Sequence, residues 1–454
     1  MKKTICLLLS LGIYFSVSAQ KKWTLQECVE YAMEHNLQVK QNEYNKQIQE
    51  KSYQMAKNQY LPTVGASVSN NASFGQRISQ EGLINRTDNF NNSLFLGASI
   101  QVFNNGRIQK QARQANYDVE ASLYDLQTVK NNIALQIAQQ YLNILLNREI
   151  VKINESAVEN AQQNFDKAKK TTEVGKTALT VQYEAEAQLA QEKQNLKNAQ
   201  IEEERALFLL AQLLQLPDYK DFDVENYTIT SISPTLNLEE DILTKAFESQ
   251  PEIHAAESRI KSAETATDVA RTSFWPTISA TAGIGTSYYS ALHKNVISIP
   301  DENGNIIEAT YSDPPFFQQY KDNFSQQLGI SANIPIFNKG ITKLQVEQAK
   351  INEDIAQNNL AQQKQQVKEK VQQAVFDVEA NYQKYLAAQE AVKSTELALD
   401  FAQKSFDAGK STIYDLNVAR NNYVNSQGAV AQAKYNYLFS QKLMNFYAGI
   451  PLEL

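Results

Sequence analysis

Two short runs hold the residue types most able to do chemistry: Gly175-Lys176-Thr177 and Gly409-Lys410-Ser411. A glycine followed by lysine and a hydroxyl residue closes a phosphate-cradling loop only when another glycine stands five residues earlier. Lys170 and Lys404 occupy that place, so neither run reads as a nucleotide site. His35, His254 and His293 show no metal-ligand spacing, and no nucleophile motif accompanies them. Asp301-Glu302-Asn303-Gly304-Asn305 suggests a calcium loop, but it lacks both the glycine and the terminal glutamate at the spacing such a loop requires, and reads as a turn. No enzymatic activity, metal or cofactor is expected.

What the two glycine runs punctuate is a repeat. Phe103-Asn104-Asn105-Gly106 through Leu216-Pro217 returns as Phe337-Asn338-Lys339-Gly340 through Ile450-Pro451. Starts, ends and the midpoint glycines are all 234 residues apart, so the copies differ by no insertion. A repeat of this length governs the whole fold. The predicted organisation is a first repeat over 20–217, a connecting segment over 218–237 and a second repeat over 238–454.

Composition narrows the class. The 454 residues include only 15 Gly and 10 Pro, and the mean hydropathy is −0.45, which suits long hydrated helices. Residues 1–19 read as a secretory signal: Lys2 and Lys3, an apolar run from Ile5 to Phe15, then Val17-Ser18-Ala19. Removing it takes Cys6 away, leaving Cys28 without an internal disulfide partner, and moves the formal charge from −7 to −9. An acidic chain with scattered basic residues offers nothing to nucleic acid. No later run is long and apolar enough for a membrane helix. An exported chain without one is either soluble or spans as a β-barrel.

Each repeat opens with a helix, over 24 to about 59 and over 238–275. Pro62 and Pro276 end these helices and lead the chain into extended structure. Val64, Ala66 and Val68 then alternate with small or polar residues, as do Ile278, Ala280 and Ala282. Further on, Leu94, Leu96, Ala98, Ile100 and Val102 alternate likewise, matched by Leu328, Ile330, Ala332, Ile334 and Ile336. Period-two alternation over nine residues is a weak signature of a membrane strand, and for one such segment alone a half-buried strand of a soluble sheet is the better reading. Four segments in two matched hairpins, about 62–103 and 276–337, favour the membrane. The second hairpin has the longer connection, with Pro314-Pro315 as a breaker.

The helical hairpins follow, over 106–215 and 340–447. Ile108, Ala112, Ala115 and Val119, then Leu126, Val129, Ile133 and Ile137, step by three and four like a coiled-coil seam. Nothing interrupts this helix before Gly175, so it extends about 100 Å at about 1.5 Å per residue. Four strands cannot close a barrel. Two chains would supply eight strands, which side chains fill; three supply 12, the smallest count leaving a water-filled bore, so an open pore asks for a homotrimer.

These features together resemble the outer-membrane efflux protein family, TolC-like. The resemblance rests on the tandem repeat, Leu61-Pro62-Thr63 and Trp275-Pro276-Thr277, the Phe-Asn-x-Gly helix starts, the closing Ile450-Pro451 and above all Phe406 through Leu416. It implies a mixed α and β membrane protein whose four strands join a trimeric 12-stranded outer-membrane β-barrel. Long coiled helices would continue it as a periplasmic α-barrel. It further implies a channel set in outer-membrane lipid, passing small molecules or proteins from an inner-membrane transporter and a periplasmic adaptor. The helix tips at Gly175, Lys176, Thr177, Gly409, Lys410 and Ser411 would meet the adaptor, though a helix-ending role explains both glycines without it. Asp415 stands where members often carry an acid facing the lumen, and three copies would form a carboxylate ring favouring cations. The first repeat has Val181 there; Glu184, one turn on, could give a second ring, and either acid could instead be an ordinary solvated helix residue. Phe406 and Ser411 replace groups that latch some members closed, so no latch is carried over. The competing reading, an exported coiled-coil rod tethering envelope layers, explains the helices but not the four strands.

Overall fold

A computed structural model describes residues 22–78, 84–86, 88–227, 239–292, 296–300, 306–310 and 313–450. The signal segment 1–19, residues 228–237 of the connecting segment, His293, the turn at 301–305 and Pro451 lie outside the described residues.

The first half runs β1 (Lys22–Trp23), α1 (Leu25–His35), α2 (Leu37–Asn58), β2 (Thr63–Ser73), β3 (Gln76–Ile78), β4 (Ile84–Arg86), β5 (Asn89–Phe103), α3 (Arg107–Glu173) and α4 (Leu179–Leu214). Then come β6 (Asp223–Val224), α5 (Glu239–Ser249), α6 (Pro251–Thr272), β7 (Thr277–Ala291), β8 (Val296–Pro300), β9 (Ile306–Thr310), α7 (Phe316–Asp322), β10 (Ser325–Asn333), α8 (Ile341–Asp407) and α9 (Ile413–Tyr447). Both long helices, α3 and α8, have 67 residues.

The described residues pack as two compact units, those within Met1–Lys46, Ser122–Ala256 and Asn359–Leu454, and those within Gln47–Ala121 and Glu257–Asn358.

In the first unit the opening helix is broken where the sequence predicts it continuous. Thr24 and Glu27 form a reciprocal capping box that starts α1. Asn36 then turns extended, with φ −66° and ψ 127°, and its Oδ1 accepts from the Gln38 amide at 2.8 Å to cap α2. The second opening helix breaks likewise before Pro251, whose fixed φ suits the first position of α6. Ile133, Ile137, Ile144, Leu210 and Leu214 are buried with Cys28 and Ala32 in one cluster, and Ile242, Val367, Val371 and Met444 in another. The Cys28 thiol is pushed up to about 12, first by burial and then by the Glu27 charge.

Arg148 ties this core to the connecting segment. Its guanidinium donates to Glu203 Oε1 at 2.9 Å, to Val224 O and Asn226 Oδ1 at 2.7 Å, and to Asp223 Oδ1. Asp223–Val224 pairs in parallel with Lys22–Trp23, so one arginine fixes the strand that begins the described chain. Arg148→Ala is expected to cost about 2 kcal/mol and to speed proteolysis near Trp23, read by N-terminal sequencing of the fragments; Arg148→Lys should recover only part.

The second unit holds an antiparallel sheet of order β10-β7-β5-β2. In register, Val68, Leu94 and Thr286 share one face with Ala66, Leu96, Ile284 and with Ala98, Ala282, Leu328. Val64, Val68, Leu96, Leu328 and Ile330 on that face are exposed. The opposite face is mostly glycine, serine and threonine. There the Phe95 ring lies over Gly97, Gly283 and Gly285, where an added Cβ at Gly283 would sit 2.5 Å from the ring. Among the described residues the outer edges of β2 and β10 carry no strand, and no helix is long and apolar enough to cross a membrane.

Candidate functional site: the helical tips

Two helical turns, both in the first unit, carry the glycine-lysine runs. α3 ends as Gly175 takes φ 71° and the Lys176 amide reaches back to Thr171 O at 2.9 Å. At the second tip Gly409 takes φ 70° and the Lys410 amide bonds Ser405 O at 2.9 Å. This left-handed glycine lets amides beyond the helix satisfy its last carbonyls, and a Cβ would strain it. Lys176 and Lys410 are exposed, and Thr177 is half-buried with its hydroxyl 2.9 Å from that of Thr171.

The helices that leave the tips start differently. α4 begins after Ala178, which makes no side-chain cap. α9 begins with a capping box: Thr412 Oγ1 accepts from the Asp415 amide at 3.2 Å, while Asp415 Oδ2 accepts from Thr412 N at 3.0 Å and Thr412 Oγ1 at 2.6 Å. The Thr412 hydroxyl and amide together hold the Asp415 carboxyl below the usual carboxylate range. Asp415 and Glu184 are both exposed, and among the described residues no hydrogen bond or ion pair joins them. Pro62 and Pro276 lie in the other unit, immediately before β2 and β7.

Three features of the tips escape the sequence reading. Lys167 on α3 contacts Asp407 at the end of α8 at 2.5 Å, and Gln403 also donates to Asp407 at 3.2 Å. Beside this pair is a cavity of about 250 Å³ lined by Thr171, Lys176, Val181, Phe406 and Ser411, and the shielded Ser411 Oγ has no hydrogen-bond partner among the described residues. Further along, Glu192 on α4 and Arg420 on α9 are both buried. Glu192 accepts from Gln188 at 2.5 Å and Asn195 at 3.2 Å, and Gln188 also donates to Asn421 on α9. Arg420 donates to Asn417 at 3.2 Å; burial depresses its pKa while Glu192 opposes that.

The Lys167 contact, chiefly, and Gln403 hold the Asp407 carboxyl below its ordinary range. A depressed carboxylate contributes stability above the unfolded-state value and loses it as pH falls through the folded value. Protection of 403–412 against hydrogen exchange is therefore expected to hold above the ordinary carboxylate range and to fall as pH drops from that range toward the folded value. In Lys167→Met protection should be lower already at neutral pH and should lose most of this pH dependence. Among the described residues no group of three or more His, Cys, Asp or Glu is placed to hold a metal ion.

Known proteins share this fold. The family described as outer membrane efflux protein matches residues 29–214 and 242–449, most of both halves. The chain belongs to the outer membrane efflux protein family. The outer membrane protein TolC of Escherichia coli strain K12 is 23% identical over 448 residues, covering 97% of this chain and 85% of TolC. A crystal structure of CusC superposes with TM-score 0.76 at 18% identity, over 94% of this chain and 92% of that one. The outer membrane protein VceC of Vibrio cholerae gives 0.74 at 17%, over 94% and 97%. As a family member the protein is an outer-membrane protein that extends into the periplasm.

Proposed function

We propose that three copies of this efflux-family protein form the outer-membrane channel of a tripartite export system. The observation that carries the reading is the four-stranded sheet, whose aliphatic strip is exposed on one face and whose two outer edges, among the described residues, carry no strand. An unpaired edge seeks another strand. Joining β2 of one copy to β10 of the next closes three sheets of four into a 12-stranded barrel, with the Val-Leu-Ile face in lipid and the glycine-serine face around water.

On this reading the tandem repeats, 20–217 and 238–454 joined by 218–237, continue the barrel as a periplasmic tube of coiled helices. The tips at Gly175, Lys176, Thr177, Gly409, Lys410 and Ser411 meet a periplasmic adaptor coupled to an inner-membrane transporter, and the Asp415 and Glu184 carboxylates line the entrance. Energy comes from the transporter, and the channel passes small molecules or proteins without catalysis. The tethering rod leaves an apolar sheet face in water. Purified protein in planar bilayers is expected to give stepwise cation-preferring currents and to need detergent for solubility. Absence of current from protein that stays soluble without detergent would favour the rod.

A further inference from the structure

Among the described residues α7 has no counterpart in the first hairpin, and its seat on the sheet is fully built. β10 stops pairing at Ser325, opposite Gly285, while β7 continues to Ala291. Side chains around α7 take over the edge of β7 that β10 leaves. Asn323 Nδ2 donates to Ser287 O at 2.7 Å. The buried Gln319 accepts from Tyr289 N at 2.9 Å and donates to Tyr289 O at 2.8 Å. Asp313 accepts from Ala291 N at 2.6 Å. Side chains thus continue the ladder where no strand does, which fixes the helix against the sheet.

The helix then leans to one side. Thr286 Oγ1 donates to Tyr320 O at 2.7 Å, the Tyr320 hydroxyl donates to Asn92 Oδ1, and the Phe316 ring sits 4.9 Å from that of Tyr288. Thr286, Tyr288 and Asn92 share the face of Leu94, Leu96 and Ile284. α7 therefore lies on the apolar face, just beyond its last aliphatic layer, where Asn70 and Asn92 hydrogen-bond each other. Gln319 faces the sheet, yet Phe317 is 85% exposed and Phe316 42%, with Lys321 exposed beside them.

We propose that α7 is an interfacial anchor that inserts Phe316 and Phe317 into the headgroup–acyl boundary of the membrane around the sheet. Aromatic side chains gather at that depth, phenylalanine on the buried side of an interfacial helix, and a lysine nearby keeps its charge in water. The occupant follows from continuity, because the same face bears the apolar strip assigned to lipid. This inference rests on the channel reading.

The test uses full-length protein in phosphatidylcholine–phosphatidylglycerol vesicles, carrying Phe317→Cys, Leu96→Cys or Lys176→Cys with an environment-sensitive fluorophore. Cys28 is fully buried and stays unlabelled. At Phe317, lipids spin-labelled near the headgroup should quench more than lipids labelled at the chain end. Iodide should quench there roughly fivefold less than at Lys176. Iodide quenching equal to that at Lys176 overturns the anchor, as does resistance to both quenchers, which would place a second protein surface on α7. The Leu96 label separates this failure from failure of the channel itself. Lipid quenching at Leu96 with a wet Phe317 sinks only the anchor, whereas iodide reaching Leu96 takes the sheet out of the membrane.

Discussion

Arg420→Ala is expected to destabilise the helical unit by about 3 kcal/mol, more than Arg148→Ala. Arg420 is 5% exposed and Glu192 only 2%, so neither charge is offset by water. Removing the cation leaves a buried carboxylate facing only the amides of Gln188 and Asn195. That residual burial, more than any lost contact, sets the cost. Glu192→Met alone should cost a comparable amount, because the guanidinium then keeps only Asn417. The double variant Arg420→Met with Glu192→Met should be close to wild type, since apolar side chains of similar volume refill the seam without stranding a charge. Chemical unfolding in detergent, followed by helical circular dichroism, reads all four states. If the single losses simply add in the double variant, the two charges do not act as a pair.

That pair also shows how far the sequence is legible. Ala185, Leu189, Glu192, Ala199 and Ala206 are all buried and step by four, three, seven and seven along α4. On α9 Ile413, Leu416 and Arg420 do the same. The periodicity alone therefore carries the signal that both ionisable residues occupy seam positions and are buried. The strands are readable because a sheet with one face apolar must alternate, and their hairpin pairing follows from chain order. The break at Asn36 is harder. It sits in a polar run where helix and cap compete, and Asn36 wins as a cap because its side chain replaces the amide bonds the helix loses. Pro315 reads only as a breaker, yet it precedes the first turn of α7. No periodicity announces a seven-residue helix held by Gln319 and Asn323 against a strand edge.

Asp415→Asn is expected to lower the cation preference of the channel about threefold while leaving the tip folded. The structure gives Asp415 a second role beside any charge at the entrance: it closes the capping box with Thr412. Alanine at 415 would remove both roles together. Asparagine keeps an acceptor for the Thr412 amide and hydroxyl and removes only the charge, so a fall in selectivity without loss of tip protection isolates the electrostatic part. The cap makes the pH dependence distinctive. Because the Thr412 hydroxyl, then its amide, hold the Asp415 carboxyl below its ordinary range, that carboxylate stays ionised as pH falls through that range. Cation preference should therefore persist there and be lost only at lower pH. Thr412→Val deletes the stronger of the two donors and should move that loss toward the ordinary carboxylate range, with selectivity at neutral pH unchanged. Reversal potentials across a salt gradient, recorded from single channels at several pH values, read each shift directly. Identical profiles for wild type and Asp415→Asn would remove Asp415 from the entrance and leave it as a helix cap alone.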